Sequence, residues 1–300
     1  MKNLAIKVDI DTLRGYREGV PRLLDLLARH GIRATFFFSF GPDNSGKAIR
    51  RIFRKGFLQK MLRTKAPSTY GFRTLLYGTL LPAPMIVASA PEVFVRTAAE
   101  GHECGIHAWD HVLVQDRLAG MSETKFASLY EMAEKQFTNL SGRRPDCYAA
   151  PGWQVSPASL ATEERLGLRY ASDTRGESPF FPALSGRRYS VLQIPTTLPT
   201  MDEVLGADGV TDETLPELWA DMSRGEWNVL TVHAEMEGMS KLHVFERFLE
   251  IARDRGFDFS TLGDIARQLD AAAVPCHEVE IGTLPGRAGT LALQGGRFAF

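Results

Sequence analysis

Asp9 and Asp11 stand two positions apart at the end of the apolar run "LAIKVDIDTLRG", and on a strand residues i and i+2 share a face. Two carboxylates that close repel, and a metal ion is the simplest relief. A second pattern supplies partners for one. In "GIHAWDH", His107 and His111 have i, i+4 spacing directly after an apolar run. On a helical turn that spacing brings both imidazoles to one side, where they can hold one cation together with a carboxylate. By itself such a pair is weak, since two core or surface histidines arise this way often. Combined with Asp11 at another strand end it makes a His2Asp set suited to zinc or another divalent transition metal, with positions left for water and substrate. Asp9, if left outside that set, is placed to take a proton from the attacking water. His233, ending the run "NVLTVHAE", can hand a proton to a leaving group.

These residues need strands that end together. Short apolar runs ("LAIKV", "ATFFFSF", "ECGIHAW", "CYAAPG", "LRYASD", "SVLQIP", "WNVLTVHAE") alternate with segments of helical period. Val20, Leu23, Leu24 and Leu27 mark one helical face, and Phe126, Leu129, Tyr130, Ala133 and Phe137 another; Gly31 reads as a C-cap. Alternation of this kind predicts an α/β fold on a mainly parallel sheet, open or closed into a barrel, with functional groups at the carboxyl ends of the strands.

The 300 residues fit one such domain; 44% are hydrophobic and 24% charged, which excludes a disordered chain. A net charge of −1 excludes no partner, because it can hide a polarised surface. The N-terminus runs straight into the first strand, without the pattern of a secretory leader. Cys104, Cys147 and Cys276 lie far apart and read as buried thiols in a reducing compartment.

Residues 44–91 break the rhythm: they hold nine Lys or Arg and no Asp or Glu. Ile49, Ile52, Phe53, Phe57 and Met61 lie among the basic side chains, while residues 74–91 are uncharged and carry Gly78, Pro82, Pro84 and Pro91. Those breakers argue against a membrane crossing. The segment reads as an interfacial element attracted to anionic lipid or to a phosphate-bearing lipid substrate, with a core-packing insertion that has a solvated basic face as the alternative. No nucleic-acid-reading motif accompanies it. Residues 1–275 are expected to form one domain with 44–91 as its membrane- or lipid-facing insertion, and the Gly-rich residues 276–300 a tail that wraps the domain or is mobile.

"VDID", "HAWDH", "AAPGW", "SDTRG" and "LTVHAE", in this order, resemble the successive motifs of the polysaccharide deacetylase (NodB-like) family of metal-dependent carbohydrate esterases and amidases. "FFFSFGPDNSG", "IPTTLPTMDEVLG", "TVHAEMEG" and "LPGRAG" resemble more narrowly the branch that removes the formyl group from 4-deoxy-4-formamido-L-arabinose on undecaprenyl phosphate. The resemblance implies a distorted, incomplete (β/α) barrel, Asp9 as catalytic base, Asp11, His107 and His111 around one divalent metal (zinc, manganese or cobalt), and His233 as general acid. A backbone N–H near Gly152 or Trp153 is implied as an oxyanion donor. The products implied are formate and an amino-sugar lipid used to modify lipid A, made by a peripheral enzyme at an anionic membrane surface, on the cytoplasmic face of the inner membrane.

One motif departs from the pattern: Ala149 stands where the family has an Arg that orients the base and pairs with a later Asp, here Asp173. Arg175 reads as a surface or substrate-phosphate contact, with replacement of the missing guanidinium as its other role. Competing readings are a deacetylase of another N-acylated glycan and a non-catalytic lipid-phosphate or carbohydrate binder. A phosphohydrolase using "DIDT", or a DxD glycosyltransferase, leaves all three histidines unexplained.

Overall fold

The computed structural model describes residues 2–48 and 73–296. Its strands are β1 (Lys2–Ile10), β2 (Thr35–Ser39), β3 (Glu103–Ala108), β4 (Cys147–Tyr148), β5 (Tyr170–Ala171), β6 (Phe181–Leu184), β7 (Arg187–Arg188), β8 (Leu192–Gln193), β9 (Trp227–His233), β10 (Phe257–Ser260), β11 (Cys276–Gly282) and β12 (Leu291–Gln294). The main sheet is parallel throughout, running from β1 through β2, β3, β4 and β5 to β8. β9 pairs with β1 along Asn3 to Asp9. It therefore fills one edge of β1, leaving the other edge to be shared by β10 below and β2 above. Between β8 and β9 the described residues form no ladder; Thr197 and Leu198 instead each donate a backbone N–H to the Val229 carbonyl. The result is the expected distorted, incomplete barrel.

Near-continuous burial of β1, β2 and β3 follows from helices covering the outside of a parallel sheet. Helix Val20–His30 buries Val20, Leu23, Leu24 and Leu27, and stops at Gly31, whose φ of 62° suits a residue without Cβ. Helix Glu123–Ser141 buries the five residues its period marked. A five-residue π-helical turn, Gly15–Gly19, precedes the first helix and was not legible in the sequence. Its glycines let two loops touch: a Cβ on Gly19 would come within 2.0 Å of the Ala234 carbonyl oxygen, just past the end of β9.

The basic half of the insertion, residues 49–72, lies outside the described residues, as do Met1 and residues 297–300. The uncharged half is packed onto the domain. Pro42 bridges Met85, Ile86 donates to the Gly41 carbonyl, and the Tyr16 hydroxyl donates to the Ala90 carbonyl. Residues 276–294 carry an antiparallel hairpin, β11 with β12, and β11 adds to β6 in a second sheet; Cys276, expected to be buried, is exposed at the first position of β11, while Cys104 and Cys147 are buried. Among the described residues no helix is long and apolar enough to cross a membrane.

Candidate active site

Register places the chemistry. Asp9 is the β1 residue opposite His233 on β9, and β3, next but one across the sheet, delivers His107. His111 is the first residue of helix His111–Arg117, held in place because the Asp110 side chain caps that helix at the Leu113 N–H. Asn44 steadies the cap by donating to the other Asp110 oxygen at 2.7 Å.

At the centre Asp11 Oδ1 lies 3.3 Å from His107 Nε2 and 3.3 Å from His111 Nε2. His107 Nδ1 is 2.6 Å from the Ala149 carbonyl oxygen. A carbonyl only accepts, so Nδ1 carries the hydrogen and Nε2 is the atom turned towards Asp11. Asp11 Oδ1 is buried and has no hydrogen bond to satisfy it. The three donor atoms lie within 4.8 Å of one another, and the donor types are those of a divalent transition metal. The residues fit such an ion, and the Ala149 carbonyl is the outer contact that fixes the ring.

Electrostatics agree. Burial pushes Asp11 up, but His111 and His107 outweigh it and hold the carboxyl below its ordinary range. Burial pulls His233 down, yet Asp202, Asp11, Glu237 and Asp9 together leave it above the usual imidazole value. Buried Asp9 has one oxygen, Oδ1, without a partner; the other, Oδ2, lies 3.5 Å from Lys7 Nζ.

The remaining expected residues form the wall. Gly152 and Trp153 both take left-handed backbone, φ 62° and 53°, and a Cβ at 152 would meet the Gln115 amide nitrogen at 2.4 Å. The Trp153 N–H is bonded to the Ala150 carbonyl, and its indole N–H donates to Thr196 Oγ1. Asp173 Oδ1 accepts from the Ala150 N–H at 2.6 Å and Oδ2 from Gln193 at 3.2 Å; burial pushes its pKa up to about 6.

Arg175 corrects the reading of it as a surface or phosphate contact. It is fully buried, its Nη1 forked onto Glu203 at 2.7 and 3.0 Å, with Nη2 on the Leu198 carbonyl and Nε on that of Thr196. Nor does it stand in for the guanidinium missing at Ala149; it clamps the 196–203 loop beneath Trp153, whose ring centroid is 4.9 Å away. An interior Arg is tolerated where a carboxylate and carbonyls satisfy it. From the β11–β12 loop, Arg287 covers the same ring at 4.4 Å, so the C-terminal hairpin backs this wall.

Three acidic or basic residues went unnoticed. Glu235 Oε1 accepts from the Asp11 N–H, the Thr12 N–H and Thr12 Oγ1, at 3.0, 2.7 and 2.8 Å, fixing the turn that carries Asp11. Glu237 accepts from the His233 N–H at 2.8 Å. Both follow His233 in "HAEME", two and four positions on, a signal that could have been read. Lys7 has the parity of Asp9 and Asp11 in an otherwise apolar strand, and the same alternation reaches it in one further step.

Fold and site together define a class: residues 4–171 match the polysaccharide deacetylase family model, and the chain belongs to that family. Within it, the chain is similar to a probable 4-deoxy-4-formamido-L-arabinose-phosphoundecaprenol deformylase of Shewanella sediminis, 37% identical over 97% of this chain and 94% of that one. A protein of the same name from Wigglesworthia glossinidia brevipalpis is 34% identical over 93% of this chain and 98% of its own length. Among solved structures, a probable polysaccharide deacetylase from Pseudomonas aeruginosa PAO1 shares the fold with a TM-score of 0.59 at 19% identity, covering 88% of this chain and 89% of that one. PuuE allantoinase does so at 0.58 and 17%, with the same coverage.

Proposed function

We propose that this protein is a hydrolase that cleaves the formyl amide of 4-deoxy-4-formamido-L-arabinose on undecaprenyl phosphate, releasing formate and the amino-sugar lipid used to modify lipid A. The observation that carries the reading is the meeting of Asp11 with two imidazoles beside the paired residues Asp9 and His233. Similarity along nearly the whole chain to two deformylases selects the acyl group and the sugar.

Asp11, His107 and His111 would hold one divalent ion, zinc, manganese or cobalt, which when bound supplies Lewis acidity to the formyl oxygen and makes water more acidic. Asp9 Oδ1, buried and without a partner, takes the proton of the attacking water. His233, on the neighbouring strand, protonates the departing sugar nitrogen, without which an amine leaves poorly. The oxyanion donor in this reading is a backbone N–H near Gly152 or Trp153, the latter already donating to the Ala150 carbonyl.

A lipid-linked sugar requires the protein to meet the membrane. The basic residues among 49–72 supply that contact in this reading, acting from the cytoplasmic face of the inner membrane, where each basic side chain near an anionic leaflet adds roughly 1 kcal/mol. Formate release from synthetic formamido-arabinosyl undecaprenyl phosphate, with and without chelator, tests the activity. Release that chelation stops and divalent metal restores supports it; no formate, or faster release of acetate from an N-acetylated glycan, overturns it.

A further inference from the structure

Lys7 is an ammonium inside the barrel. It is fully buried, and the faces of Phe37 and Trp153 lie over it at 5.7 and 5.4 Å. Its Nζ donates to the Ser172 carbonyl at 3.0 Å and stands 3.5 Å from Asp9 Oδ2. A buried cation persists only where acceptors and a counter-charge meet it. Two carboxylates are near, and they differ. Asp173 has both oxygens engaged, by the Ala150 N–H and by Gln193. Asp9 has Lys7 at one oxygen and nothing at the other.

That asymmetry has a chemical use. A carboxylate free to rotate presents either oxygen to the substrate side. One held at Oδ2 by a cation from its own strand presents Oδ1 alone. We infer that Lys7 is the positioning residue of the reaction, its ammonium fixing Asp9 through Oδ2 so that Oδ1 is the atom that receives the proton. The inference rests on Asp9 being that acceptor. Strand geometry provides the rest: Lys7 and Asp9 are i and i+2 on β1, so their side chains rise on the same side. The aromatic faces keep the ammonium from swinging away and exclude water from the pair.

The test uses the full-length, metal-loaded enzyme and formate release from the formamido-sugar lipid. K7M, which keeps the stem and removes the charge, is expected to lower kcat by about 10²-fold while KM moves by less than about threefold, as befits a group acting through a proton transfer. K7R, which returns a cation, is expected to regain at least about tenfold over K7M. Metal content, measured on the same samples, stays at the wild-type level. The decisive step places K7M on a D9N background. If Lys7 acts through Asp9, the second substitution costs less than about twofold there. A kcat for K7M within about threefold of wild type, or a K7M loss repeated in full on D9N, overturns the inference. If K7M does not fold, K7Q replaces it under the same limits. D9N retaining kcat to within about fivefold of wild type sinks the reading of Asp9 instead, so the two failures are distinguishable.

Discussion

The mouth and the floor of the barrel use the same kinds of residue to opposite ends. At the mouth Asp9, Asp11, His107, His111 and His233 converge; at the floor Glu103, Asp146 and Cys147 also come close enough to hold an ion, beside a cavity of about 220 Å³ lined in part by His102, Arg33, Arg143, Arg169 and Arg267. Only the mouth leaves its atoms wanting. Glu103 Oε2 accepts from Thr35 Oγ1, the Tyr170 hydroxyl and the Gly263 N–H, at 2.8, 2.9 and 2.8 Å, and Asp146 pairs with Arg169. Burial, with Glu103 and Asp146 adding to it, holds the Cys147 thiol well above its ordinary pKa and so protonated. The mouth instead has orphaned oxygens on Asp9 and Asp11. What separates a site from a structural cluster here is unmet hydrogen bonding rather than composition.

The largest effects should come from the mouth. D9N and H233A are each expected to lower kcat by about 10²–10⁴-fold with metal retained, since both residues move protons. Losses under about fivefold with chemistry rate-limiting would remove the residue from the mechanism. At the floor, E103Q should cost about 1–3 kcal/mol of stability through weakened hydrogen bonds while kcat stays within about threefold; a larger loss of kcat would break the contrast.

Glu237 sharpens it through pH. Burial, partly offset by His233, pushes its carboxyl up to about 7 from an ordinary 4.5. Below pH 4.5 the folded and unfolded chains both carry the proton; between 4.5 and about 7 the unfolded chain ionises first, so stability falls as pH rises. E237Q, which mimics the protonated acid, should therefore be more stable than wild type at pH 8, by up to on the order of 3 kcal/mol, and equal to it near pH 4.5. Urea unfolding at the two values checks this, and a difference independent of pH would contradict it. Smallest of all, D146N should change stability by less than about 1 kcal/mol, because its ion pairs are partly exposed.

The sequence carried the barrel and its five central residues because both depend on short-range periodicities. Asp9 and Asp11 alternate on a strand, His107 and His111 are one helical turn apart, and the apolar runs alternate with helical faces. Arg175 was misread because its partner is Glu203, twenty-eight positions on, across a loop with no period. The tail's two readings, wrapping the domain or mobile, stayed open for a similar reason. Its pairing of β11 with β6 joins residues nearly a hundred positions apart, and a Gly-rich composition conceals the hairpin that carries Arg287 to Trp153. Lys7 was missed although the alternation that links Asp9 to Asp11 includes it.

The central claim is that the ion belongs to the mouth, and metal stoichiometry tests it most directly. Elemental analysis of purified wild type, H107A/H111A and E103Q/C147S should find about one divalent transition metal per chain in the first and third and almost none in the second. Metal kept by H107A/H111A and lost from E103Q/C147S would place the ion at the floor and contradict the account.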